Sequence, residues 1–144
     1  MNICDIMTDR VISVGEDEPV CAAAKLLKRN NIGSLPVRDE KGKLRGIITD
    51  RDIVLRCVAS EADPQNVLVR EIMSRNLVTA SPFDDAAKAA ERMAECQIRR
   101  LPITENGILV GIVALGDIAR KGEFEMEAAE ALSEISSNFR RYTL

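Results

Sequence analysis

The sequence predicts an α/β fold of the α+β kind, in which one β-α-β-β-α unit is built twice and the copies pack sheet to sheet with pseudo-twofold symmetry. Three observations carry this. Moved back by 66 residues, the second half lies on the first: Ile6-Met7 on Ile72-Met73, Ala23-Ala24 on Ala89-Ala90, Leu35-Pro36 on Leu101-Pro102. After one residue is lost in a turn, an offset of 65 brings Gly46-Ile47 onto Gly111-Ile112 and Asp52-Ile53 onto Asp117-Ile118. Each copy then runs through the same order of strand, helix and hairpin signals, as a duplicated structural unit does.

Each copy opens with a short helical turn, Ile3–Met7 or Val69–Met73, and a small strand, Val11–Val14 or Leu77–Ala80. A helix follows. Its apolar positions, Val20, Ala23, Ala24 and Leu27 in one copy and Ala86, Ala89, Ala90 and Met93 in the other, recur at helical spacing. Pro19 suits the first helical position, and Asp84-Asp85 suit the start of the second helix. Two strands come next, Leu35–Val37 with Leu44–Ile48 and Leu101–Ile103 with Ile108–Val113. They flank tight turns ending at Gly42 and Gly107, and Asn106-Gly107 is a strong hairpin signal because both residues tolerate positive φ. Pro36 and Pro102 are expected to open their strands, where a missing N–H does no harm. A last helix begins near Asp50 and near Leu115.

The domain reading is a first repeat over 1–60, a linker over 61–66, a second repeat over 67–122 and a C-terminal amphipathic helix and tail over 123–144. A three-stranded sheet with two helices is marginal alone, so the copies are expected to bury each other's apolar faces and leave clefts along the seam. In the tail, Phe124, Ala128, Leu132, Ile135 and Phe139 share one helical face, opposite Glu125, Glu130, Glu134 and Ser137.

Composition removes whole classes of function. The chain has no histidine, so Ser-His-Asp and Cys-His arrangements are ruled out, and with them the commonest metal ligand. No catalytic residue and no metal ligand set is expected. Cys4, Cys21, Cys57 and Cys96 form no Cys-x-x-Cys pair and read as reduced, mostly buried thiols. A net charge of −3 and 3% aromatic residues argue against a nucleic-acid surface. Neither a signal peptide nor a membrane span stands out, so the expected location is cytoplasmic.

Each repeat ends on an informative run, Gly46-Ile-Ile-Thr-Asp-Arg-Asp52 and Gly111-Ile-Val-Ala-Leu-Gly-Asp117. Thr49 and Asp52 have the spacing of a capping box, in which hydroxyl and acid satisfy each other's backbone N–H. The same atoms at a helix start also suit a phosphorylated sugar, with free N–H groups for phosphate and a carboxylate for ribose hydroxyls. Both readings stand. Ala114 lacks the hydroxyl while Asp117 stays, which hints at a role beyond capping. Arg99 and Arg100 replace Gly33-Ser34 before the second repeat's middle strand, where two guanidinium groups suit phosphate or lie solvated on the surface. Arg51 is a further cation at the first motif.

The doubled unit, the Leu-Pro before each middle strand and the Gly-x-x-Thr-x-x-Asp ending resemble the tandem cystathionine-β-synthase (CBS) domain pair, or Bateman module, over roughly 120 residues. The resemblance implies a stand-alone regulatory sensor, not an enzyme, that binds AMP, ADP, ATP or S-adenosylmethionine in a cleft between the repeats. It assigns Thr49, Arg99 and Arg100 to phosphate and Asp52 and Asp117 to ribose, and Ala114 departs from it. The two clefts are then expected to differ, with the Thr49 motif, completed by basic residues of the second repeat, as the better site. A homodimer of modules and an effector protein as partner are also implied. The alternative is a ligand-free scaffold dimer in which the motif only caps a helix.

Overall fold

The computed structural model of the chain describes residues 1–120 and 131–135. The chain divides into two compact units. One holds Ile12–Leu77 with Gly107–Leu109; the other holds Met1–Val11, Val78–Asn106 and the described residues from Val110 on. They are called here the 12–77 unit and the 78–120 unit.

The 12–77 unit contains β1 (Val14–Gly15), α1 (Val20–Asn30), β2 (Ser34–Arg38), β3 (Leu44–Thr49), α2 (Asp50–Ile53) and α3 (Val69–Ile72). A π-helical stretch, Val54–Val58, continues α2. Strand β2 is central, parallel to β1 with Val14 opposite Val37 and antiparallel to β3 with Leu35 opposite Ile48. Helix α1 buries Val20, Ala23 and Leu27 against Val14, Leu35, Val37, Ile48, Cys57, Val69, Ile72 and Met73. It stops at Asn31, whose φ of 51° is left-handed, a state asparagine adopts more readily than most residues.

The 78–120 unit contains α4 (Ala86–Cys96), β4 (Arg100–Glu105), β5 (Ile108–Ala114, of which the first two residues fall in the other unit) and α5 (Leu115–Arg120). Its core gathers Ile3, Ile6, Ala80, Ala86, Ala89, Ala90, Met93, Leu101, Ile103, Val113, Leu115, Ile118 and Ala131. The sequence leads one to expect a three-stranded sheet here. Instead β4 and β5 form the ladder, and the third position is a single parallel bridge from Ala80 to Ile103. The reason is Pro82. In the 12–77 unit the corresponding Glu16 N–H extends the ladder by donating to Arg38 O at 2.9 Å, and proline has no N–H to donate.

Repeats and compact units are not coextensive, because each repeat's opening turn docks on the other repeat's first helix. Val20 N donates to Val67 O (2.8 Å) and Val69 N to Glu18 O (2.9 Å), whereas Ala86 N donates to Met1 O (3.0 Å) and Ile3 N to Asp84 O (2.9 Å). The exchange satisfies the first N–H of each long helix, which no residue of the helix itself can do. The stretch 61–66, read as linker, is tied down too: Cys21 N donates to Pro64 O at 2.9 Å and Ala62 packs on the core.

Several local expectations shift. Pro19 is the residue before α1, not its first. Pro36 and Pro102 sit third in their strands rather than first. Pro36 lies opposite Ile47, whose own N–H turns away to Ser74 O at 3.0 Å, so the pair exchanges no ladder bond and none is lost. Cys4 and Cys96 are exposed rather than buried; all four thiols are free. Residues 131–135 are helical, with Ala131 in the core and Leu132 exposed; Phe124, Ala128 and Phe139 of the expected helix lie outside the described residues.

Candidate functional site

Both Gly-x-x-x-x-x-Asp runs lie where a last strand turns into a helix, β3 into α2 and β5 into α5. Their glycines answer a close approach by backbone and sulfur. A Cβ on Gly46 would meet Met73 Sδ and Ser74 O, each at 2.7 Å, and one on Gly111 would meet Met7 Sδ at 2.5 Å and Thr8 O at 3.2 Å. The approaching segments are hydrogen-bonded in place: Ser74 N donates to Ile47 O (2.8 Å), and Thr8 N donates to Ile112 O (2.9 Å).

Thr49 and Asp52 form a complete capping box. Asp52 N donates to Thr49 Oγ1 and Thr49 N donates to Asp52 Oδ2, both at 3.0 Å. The remaining first-turn donors are also taken. Asp50 N donates to Gly33 O at 3.0 Å and Arg51 N to Asp50 Oδ1 at 2.8 Å. The free N–H groups that sequence reasoning expects for phosphate are therefore engaged at this motif. What the box leaves over is chemically specific. The Thr49 hydroxyl accepts within the box and retains its proton as a donor, and Asp52 Oδ1 lies outside the box as an acceptor. The Asp52 side chain is 15% exposed, and Arg56 Nε stands 3.9 Å from Oδ1. That distance is an ion pair rather than a hydrogen bond.

At the second motif the acid alone persists. Asp117 Oδ2 accepts from Ala114 N at 3.3 Å, so this carboxylate performs the half of a capping box that needs no hydroxyl. The retention of Asp117 thus has a structural account. Its other oxygen pairs with Arg120, three residues on. Arg99 and Arg100 are both exposed. Leu115 N donates to Arg99 O at 3.0 Å, the counterpart of the Asp50-to-Gly33 bond, so Arg99 and Asp117 flank the same strand-to-helix turn. Arg51 is exposed as well.

Sequence reasoning missed Arg56 and Arg120. Spacings of i,i+4 from Asp52 and i,i+3 from Asp117 on a helix were the signal for both. The second partner of Arg56, the carbonyl of Ile72 at 3.0 Å, has no sequence signal, because 16 residues separate the two.

No described helix is long and apolar enough to cross a membrane. Among the described residues no three His, Cys, Asp or Glu side chains gather as a metal site would need.

Comparison with known proteins agrees with this architecture. The family described as "CBS domain" matches residues 3–58 and again 69–123. The CBS domain-containing protein YhcV of Bacillus subtilis is 44% identical over 135 residues, 94% of this chain and 95% of that one. The crystal structure of Hypoxic Response Protein I, with two coordinated zinc ions, superposes at a TM-score of 0.77 with 35% identity, covering 83% of this chain and 98% of that one. The CBS domain pair of protein MJ0100, in complex with 5'-methylthioadenosine and S-adenosyl-L-methionine, superposes at a TM-score of 0.72 with 33% identity over 85% of this chain and 99% of that one. With a matched domain in each half and CBS-pair folds on both sides of the comparison, this chain belongs to the CBS-domain family as a tandem CBS pair.

Proposed function

We propose that this protein is a regulatory sensor that binds an adenosine-containing ligand, AMP, ADP, ATP or S-adenosylmethionine, and catalyses no reaction. The observation that carries the reading is what the Thr49–Asp52 box leaves unused, one hydroxyl proton and one carboxylate oxygen. A phosphate accepts the first and a ribose hydroxyl donates to the second. The ligands of the MJ0100 CBS pair share the adenosine that such a motif reads.

In this reading Thr49 contacts phosphate and Asp52 contacts ribose. Asp117 contacts ribose at the second motif, and Arg99 and Arg100 contact phosphate. The two motifs differ in strength because Ala114 offers no hydroxyl. A ligand shifts the module only through unequal affinity for two of its arrangements, which an effector protein then reads. Four free thiols fit a reducing, cytoplasmic setting. The exposed Val54, Leu55 and Val58 supply apolar area for a homodimer.

The second reading, a ligand-free scaffold, is favoured by the capping box being complete without any ligand. A thermal-shift panel of the four ligands separates the two. Ligand at 100 times its Kd adds about 2.7 kcal/mol of stability, which raises Tm by roughly 5–10 °C for a chain of this size. No shift from any of the four would favour the scaffold.

A further inference from the structure

Arg56 adds a polar link between two parts of the 12–77 unit, the motif acid Asp52 and the end of α3. It lies in the π-helical Val54–Val58 stretch, four residues past Asp52. Its Nε stands 3.9 Å from Asp52 Oδ1, and its Nη1 donates to Ile72 O at 3.0 Å. Ile72 ends α3, so this carbonyl has no helical N–H to accept from, and a guanidinium is a fitting partner. One residue further, Met73 packs on Gly46; the next, Ser74, exchanges two hydrogen bonds with Ile47, at 2.8 and 3.0 Å. A closed ring results, running from Ile47 along β3 to Thr49 and Asp52, through Arg56 to Ile72, and by Ser74 back to Ile47. Asp117 has no such connection among the described residues: its partner, Arg120, bonds only to it and is 77% exposed.

We infer that Arg56 is a positioning residue that ties the motif acid Asp52 to the 72–74 segment, so that whatever engages Asp52 also acts on the stretch by which the chain leaves this unit. Three features support a coupling rather than an incidental surface pair. The guanidinium has one hydrogen-bond acceptor, Ile72 O, and one ion-pair partner, Asp52, in different elements, which its planar fork can hold together and a lysine ammonium holds less well. Its carboxylate partner is mostly buried, where charge is screened less than on the surface. The 3.9 Å separation leaves Asp52 Oδ1 able to accept a ligand hydroxyl while Arg56 remains paired to its charge. The inference deepens the ligand reading but does not need a ligand for its test.

Native-state hydrogen exchange of the ligand-free protein reads it directly. The amides of Ser74 and Ile47 report the segment, and those of Thr8 and Ile112, which make the same paired bonds in the 78–120 unit, serve as an internal control. Arg56→Gln is expected to speed exchange at Ser74 and Ile47 about five-fold, the effect of one hydrogen bond, with Thr8 and Ile112 unchanged. Asp52→Asn, which leaves Arg56 without its charged partner, is expected to speed the same two amides, and the double variant to add little beyond Arg56→Gln. Unchanged exchange at Ser74 and Ile47 in Arg56→Gln would overturn the inference, and so would equal acceleration of all four amides. If Arg56→Gln fails to fold, Asp52→Asn alone decides by the same comparison. Failure of AMP, ADP, ATP and S-adenosylmethionine to bind would remove the ligand reading and leave this result standing.

Discussion

Gly46 and Met73 pack so closely that a single methyl group cannot be placed between them: a Cβ on Gly46 would stand 2.7 Å from Met73 Sδ and from Ser74 O. The sulfur can swing aside, but the carbonyl is pinned by its bond from Ile47 N. Gly46→Ala is therefore expected to cost about 2–3 kcal/mol through overpacking. At Gly111 the backbone atom is further off, 3.2 Å, and only the flexible end of Met7 is close, so Gly111→Ala should cost less, about 1 kcal/mol. Urea denaturation of the two variants checks the order; equal losses would contradict it.

The capping hydroxyl that Thr49 supplies at the first motif is missing at Ala114 of the second. Thr49→Ala removes the acceptor of the Asp52 N–H and is expected to destabilise by about 1 kcal/mol. Ala114→Thr supplies the missing half of the box around Asp117 and is expected to stabilise by roughly 0.5–1 kcal/mol. Thermal unfolding of both variants measures this, and destabilisation by Ala114→Thr would show that α5 does not start as α2 does.

The exchanged opening segments make a prediction that the order of repeats alone would reverse. Ile3 is fully buried with Leu101, Ile103 and Ile118, although it precedes the first repeat's strands. Ile3→Ala should cost about 3 kcal/mol. It should also weaken amide protection across residues 78–120 before residues 12–60. Val69→Ala should do the opposite, since Val69 lies in the other core. Residue-resolved hydrogen exchange distinguishes the outcomes, and protection lost first in the Ile3→Ala variant's residues 12–60 would refute the assignment.

Much of this was legible in the sequence, for physical reasons that also mark where legibility ended. The periodicities of α1 and α4, the Asn106-Gly107 turn and the Thr49-x-x-Asp52 spacing are local, and local chemistry fixed each element. The exchange of opening turns was not legible because it rests on backbone hydrogen bonds between segments far apart in sequence, such as Ile3 N to Asp84 O, which no side-chain pattern marks. The shortened third strand depended on one missing donor, at Pro82, within a loop that sequence reading treats as connection only. The ion pairs of Asp52 and Asp117 lay in helical spacing and were readable, whereas the reach of Arg56 to Ile72 depends on tertiary placement. Asp117 offers a sharper lesson. Its survival beside Ala114 suggested a ligand role, yet the bond from Ala114 N accounts for it.

The two motifs are also expected to bind unequally. Titration calorimetry should give one tight site per chain, with any second site weaker. Thr49→Ala should weaken the tight site by about five-fold, the worth of one hydrogen bond. Two equal, independent sites would contradict this.

The measurement closest to the central claim is a calorimetric titration of AMP, ADP, ATP and S-adenosylmethionine into the wild-type protein and into Asp52→Ala. At least one ligand should bind the wild type, and the variant, folded by circular dichroism, should lose about 2 kcal/mol, roughly 30-fold in Kd. Binding by a folded Asp52→Ala variant as tight as wild type, or no binding of any of the four to the wild type, would contradict the account.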